Sequence, residues 1–179
     1  MKTEGPTLAQ VVVKTLVAHS ITYFVVGVLA ALTLKYPALY SDPAVAAYAR
    51  PFTDRMVMAG PLFQPIRGFL LGLLFYLLRE PFLQRPRGWL TMWVTLLIVG
   101  IFSPFLGGPG SIEALIYSRL PLSFQLISLP EVLIQSFLLS TLVFYWVNHP
   151  RKWLNWLLGV IFLLIMLFPA LGLLAGPQS

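Results

Sequence analysis

A chain of 179 residues with 58% hydrophobic and only 10% charged side chains, and a mean hydropathy of +0.84, has too little polar surface for a water-soluble domain, where about a quarter of residues carry charge. The absence of cysteine excludes disulfides, thiolate chemistry and Cys-based metal or cluster sites. The net charge of +6 rests on twelve Lys and Arg scattered among apolar runs, a pattern that argues against nucleic acid as a partner and fits the positive-inside bias of membrane proteins.

A helix needs about 20 mostly apolar residues to cross the hydrocarbon core. Five such spans are predicted, at about 15–34, 60–78, 89–106, 129–147 and 153–174. The fold class expected is therefore all-α: a polytopic transmembrane bundle in a single domain, 1–179. The runs are too long and unbroken for barrel strands, which are about 10 residues of alternating pattern.

The first span, "TLVAHSITYFVVGVLAALTL", follows Lys2 and Lys14. That arrangement has the shape of a signal peptide, but no A-x-A-like cleavage site follows in "ALTLKYPALYS", so it reads as a retained anchor. His19 lies five residues past Lys14, roughly 7 Å into the membrane. An intramembrane His relays protons or ligates a haem or pigment, or more plainly bonds to a neighbouring helix. Gly27 and Ala31 form a small-x-x-x-small pattern.

An outer segment, 35–59, carries Pro37, Pro43 and Pro51 and leads through "MVMAGPLF" into the second span. There Arg67 lies two residues after Pro65 and eleven before Leu78, near mid-depth for a straight helix. A charge at that depth needs a partner or a watery cavity, unless the span is tilted and Arg67 snorkels to the outer headgroups. Gly60, Pro61 and Pro65 suggest a break in this span. Gly68 and Gly72 form a G-x-x-x-G that favours tight packing with the first span.

The inner loop "REPFLQRPRG" leads to the third span, in which Trp89 and Trp93 mark an interface and Pro104 is expected to kink or end the helix. The second outer segment, 107–128, is apolar yet carries Glu113 and Arg119. "SIEALIYSRL" predicts a short helix from Ser111. Six residues at 100° each put Glu113 and Arg119 on different faces, so they are not expected to pair. Glu113 suits a helix N-terminus, and Arg119 suits a lipid phosphate. Both outer segments are expected to hug the membrane or fold as short helices.

"SLPE" predicts the start of the fourth span, with Ser128 as N-cap and Glu131 closing a capping box. Gln135 lies one turn on, so a Ser128–Glu131–Gln135 stripe would point into the bundle. Arg67 is the natural counter-ion for Glu131. The inner loop "NHPRK", with His149, leads to the fifth span, in which Pro169 is a second expected kink.

Orientation follows from charge. Lys2, Lys14, Arg79, Arg85, Arg87, Arg151 and Lys152 fall on one side with Glu4 and Glu80. Lys35, Arg50, Arg55, Arg67 and Arg119 fall on the other with Asp42, Asp54, Glu113 and Glu131. This predicts a cytoplasmic N-terminus and an outer C-terminus, in a bacterial cytoplasmic membrane.

No HExxH, His cluster or Gly-rich phosphate loop occurs, so no catalytic residue, metal or cofactor is assigned. Arg67, Glu113, Arg119, Glu131 and Gln135 are the candidate polar site. Three functions compete: transport of a small solute or ion, an accessory or assembly role in a larger membrane complex, and lipid modification using the outer acids. Enzymatic activity is the least supported. The expected partners are the lipid bilayer and either further copies of the chain or a larger complex.

Overall fold

A computed structural model describes residues 5–104 and 107–174. Lys2 and Glu4, used above for orientation, and Leu106, the expected end of the third span, lie outside them. The described residues form helices and connecting turns: α1 (Leu8–Thr33), α2 (Tyr36–Leu39), α3 (Pro43–Ala46), α4 (Arg55–Met58), α5 (Gly60–Leu77), α6 (Arg79–Leu83), α7 (Gly88–Leu97), α8 (Ile112–Tyr117), α9 (Leu122–Asn148) and α10 (Lys152–Leu174). Four of them, α1, α5, α9 and α10, are long and apolar enough to cross a membrane.

α1 begins seven residues before the expected first span. Its start is set by "TLAQ": the Thr7 hydroxyl accepts from the Gln10 backbone N–H at 3.3 Å, and the Gln10 side chain accepts from the Thr7 N–H at 3.2 Å. This reciprocal cap satisfies two donors that a helix start otherwise leaves open. Lys14 therefore lies inside the helix. Its ammonium reaches along the bundle to donate to the Trp146 carbonyl at 2.7 Å and sits 5.6 Å from the centre of that indole ring.

α1 is the centre of the bundle. Half of its most apolar 18-residue window is buried, against 17% for α5, 22% for α9 and 11% for α10. α5 lies on it closely, because Gly68 and Gly72 have no side chains to hold the backbones apart. A Cβ on Gly68 would sit 2.7 Å from the Leu16 Cα, and one on Gly72 would sit 2.7 Å from the Val12 Cα. One core joins Val11 and Ala18 of α1, Phe75 of α5, Phe82 and Leu83 of α6, Met92 of α7, and Leu139 and Val143 of α9. A second packs Leu154, Leu158 and Ile165 of α10 against Val17, Ile21 and Trp146.

Three expectations are corrected. α5 is not broken at Pro65. That residue sits within the first two turns, so only the Pro61 carbonyl loses a bond, while the Gln64 side chain donates to the neighbouring Gly60 carbonyl at 3.2 Å. The third span is short. α7 passes into a π turn, Ile98–Phe102, and stops at Ser103, because a residue before proline disfavours helical backbone. Its 15 residues reach about 22 Å, less than the roughly 30 Å hydrocarbon core. Finally, α9 does not start at a Ser128 capping box. Pro121 is its N-cap, and Pro130 lies inside the helix. Ser128 instead donates back to the Phe124 and Gln125 carbonyls, both at 3.1 Å. Burial of Phe124 and Gln125 draws the preceding turn into the helix. Gln125 donates to the Leu120 carbonyl at 3.1 Å and accepts from the Gly110 N–H at 3.4 Å. Pro169 likewise lies within α10, which continues to Leu174.

The basic connections gather at one end. A Cβ on Gly5 would lie 3.3 Å from the Gln84 side chain, and the Lys14–Trp146 contact places the end of α9 beside the start of α1. At the other end α2, α3, α4 and α8 cap the bundle, with Val45, Leu120 and Phe124 as a small core of their own.

Replacing Gly72 with Val is expected to lower unfolding stability in detergent by about 1–3 kcal/mol, since bulk is forced against the α1 backbone. Gly159→Val should leave it within about 0.5 kcal/mol, because nothing lies within 4 Å of a Cβ there. Thermal unfolding of both variants, followed by tryptophan fluorescence, separates the two.

Candidate functional site: a polar cavity in the capped half of the bundle

A cavity of about 490 Å³ lies between α1, α5, the π turn after α7, and α9. Tyr36 and Tyr40 line it from the capping segment, and Gly108 and Pro109 from the loop before α8. Its volume is in the range of small-molecule sites.

Three of the five candidate polar-site residues meet here: Arg67 from α5, and Glu131 and Gln135 from α9, with Ser128 one turn before. Arg67 is ten residues from the end of α5 and seven from its start. It therefore sits about 15 Å from one end and about 10 Å from the other. A guanidinium at such depth needs water or a partner, and the cavity supplies the space. Glu113 and Arg119 do not join them. Glu113 lies in the first turn of α8, whose N-cap is Ser111 as expected. Arg119 is exposed in the turn between α8 and α9. Neither lines the cavity.

Arg67 and Glu131 share the cavity without touching. Among the described residues the ion pairs are Arg50–Asp54 at 3.2 Å and Arg85–Glu80 at 3.4 Å. The partner of Glu131 is Tyr36, whose hydroxyl donates to Oε2. Its other oxygen faces Gly27, where a Cβ would lie 3.7 Å away. Burial, and then the bond to Glu131 and the charge of that carboxylate, push the Tyr36 phenol well above the ordinary tyrosine range. Burial and the same carboxylate push Tyr40 up as well. Both phenols thus stay neutral through physiological pH, and the Tyr36 donor is always present. Tyr36, Tyr40 and Phe52 form an aromatic cluster with ring centres 5.5–6.1 Å apart, and Tyr40 meets Phe124 at 6.1 Å.

His19 is 2% exposed and lines the cavity wall. Its Nε2 lies 3.1 Å from Gln64 Oε1. Gln64 spends its amide nitrogen on the Gly60 carbonyl, so the oxygen facing the ring is an acceptor and Nε2 carries the proton. Nδ1 is left as a buried acceptor without a partner. The bond to a neighbouring helix is thus formed, and one nitrogen remains uncommitted. Among the described residues no three His, Asp or Glu side chains gather. The Ser128 and Ser136 hydroxyls on the α9 wall donate to carbonyls of their own helix, so neither is set beside a base. His149 lies outside the cavity, stacked on Tyr145 at 4.7 Å.

Sequence reasoning missed the tyrosines. Tyr23 follows His19 by one helical turn and precedes Gly27 by another, a four-residue ladder that was available to read. Tyr36 and Tyr40 carry the same spacing. Their link to Glu131 spans 95 positions and has no local signal.

The chain matches no known protein family, no curated protein and no solved structure.

A double-mutant cycle on Tyr36→Phe and Glu131→Gln is expected to show coupling of about 1 kcal/mol or more in unfolding stability. The Arg67→Gln and Glu131→Gln cycle should couple more weakly than that, because the two charges share the cavity without contact. The reverse order of coupling would contradict the arrangement described.

Proposed function

We propose that the protein is a multi-pass membrane protein that binds a small polar solute in this cavity and passes it across the bilayer, in a bacterial cytoplasmic membrane. The observation that carries the reading is Arg67: a guanidinium near the middle of an apolar helix, facing a cavity that also holds a carboxylate. Such a group is costly in a membrane unless it works on something that enters. Five passes with a cytoplasmic N-terminus fit the basic loops at the α1 end. In this reading α7 and its π turn form the fifth, shortened pass, thinned where it borders the cavity. π turns are frequent at functional sites, and Gly100 and Ile101 of this one line the cavity.

A second reading, an accessory or assembly subunit, draws on α10. Only 11% of its apolar window is buried, and Trp153 and Trp156 are 57% and 76% exposed. Mass analysis of the protein purified from its own host in mild detergent would favour this reading if defined partner subunits came with it.

Two outcomes are expected of the transport reading. Single cysteines at Gly108 and Gln84 should react with a membrane-impermeant thiol reagent from outside at 108 only. Proteoliposomes should swell in iso-osmotic solutions of at least one of glycine, γ-aminobutyrate, ethanolamine or glycerol 3-phosphate faster than protein-free vesicles. Arg67→Gln should reduce that rate by about tenfold, the loss expected for one charge-assisted hydrogen bond. Swelling no faster than in empty vesicles for every solute would end the transport reading.

A further inference from the structure

The backbone positions that carry the cavity's two charges are displaced along the bundle axis. His19, Tyr23 and Gly27 climb one face of α1 in four-residue steps. At the lower step His19 meets Gln64, and a Cβ on Gly68, next to Arg67, would lie 3.2 Å from the His19 Cβ. At the upper step Gly27 meets Glu131. Eight residues separate the two levels, about 12 Å of helical rise. Arg67 therefore enters from the lower level and Glu131 from the upper. Tyr23 lies between them, with its hydroxyl 3.8 Å from where a Cβ on Gly60 would sit. No ion pair joins the two charges.

This spacing selects among ligands. A lone anion drawn to Arg67 enters the field of Glu131, and a lone cation drawn to Glu131 enters the field of Arg67. A molecule carrying both charges relieves each group without adding net charge to the cavity. The upper wall also offers the Tyr36 and Tyr40 rings beside the carboxylate, and aromatic rings attract ammonium groups. The lower end offers a guanidinium, which suits carboxylate or phosphate.

Resting on the solute-binding reading above, we propose that the cavity takes a zwitterion, with its carboxylate or phosphate on Arg67 and its ammonium against Glu131, Tyr36 and Tyr40. The same chemistry is presented by a free amino acid and by an aminophospholipid headgroup.

The test is binding to the full-length protein in detergent, read as the shift in unfolding midpoint across titrations of glycerophosphoethanolamine, γ-aminobutyrate, ethanolamine and glycerol 3-phosphate. At least one zwitterion should bind about tenfold or more tightly than either ethanolamine or glycerol 3-phosphate. Arg67→Gln should remove its advantage over ethanolamine, and Glu131→Gln its advantage over glycerol 3-phosphate. Tyr40→Leu should weaken ethanolamine and leave glycerol 3-phosphate unchanged. It also serves as the informative variant if a charge substitution fails to fold.

Nanodiscs distinguish the source. Greater stability in phosphatidylethanolamine than in phosphatidylglycerol, lost in Arg67→Gln, assigns the headgroup. An equal shift by γ-aminobutyrate in both lipids assigns the free solute. Ethanolamine or glycerol 3-phosphate binding as tightly as both zwitterions would overturn the zwitterion assignment and leave a solute site standing. No binding by any probe, together with no swelling, would remove both.

Discussion

The close contact of α5 on α1 is the constraint on which the rest of the structure depends. It exists because two glycines one turn apart let the backbones meet without intervening side chains, where a Cβ would come within 2.7 Å of α1. In a bilayer, apolar surface alone gives helices little reason to associate, so close packing does more of the work. Once α5 lies on α1 in this register, Gln64 stands opposite His19 and Arg67 is carried to the cavity. α9 and α10 then occupy the remaining sides of α1, and the Lys14 ammonium ties the end of α9 to its start.

The same register keeps Arg67 and Glu131 apart. Opposite charges inside an apolar bundle attract strongly, and a direct pair is the expectation when only composition is considered. The axial offset between the His19 and Gly27 levels opposes it. The carboxylate takes the nearer donor, the Tyr36 phenol, supplied by the segment that caps the bundle. The cap is thereby joined to the membrane helices by a polar contact as well as by the small core of Val45, Leu120 and Phe124. Arg67 is left facing open space. The result is a cavity with charge of each sign at its two levels and neutral phenols between and above them.

The prolines show how local rules yield to packing. Pro104 ends its helix, because Ser103 before it takes non-helical backbone. Pro130 follows an acceptable helix start, yet the helix runs through it. One lost bond costs less there than exposing Phe124 and the two hydrogen bonds of Gln125. Pro65 falls so near the start of α5 that its missing donor hardly matters. "SLPE" has the pattern of a capping box, but "TLAQ" forms one.

Composition and run length by themselves determined that the chain is helical and suited to a bilayer, and the boundaries of α5 and α10 were legible almost to the residue. Arg67, Glu131 and Gln135 were legible too, because a charged or amide group in an apolar run stands out. Their arrangement was not. The His19–Tyr23–Gly27 ladder marks one face of α1, but nothing local to that helix says what the face meets. The tyrosines that complete the site are ordinary residues of a short capping helix until that helix folds back. Which polar groups share a cavity, and at what height, is decided by helix register. Register is set by backbone approach at Gly68 and Gly72, a three-dimensional contact that the motif permits and only the packed bundle specifies.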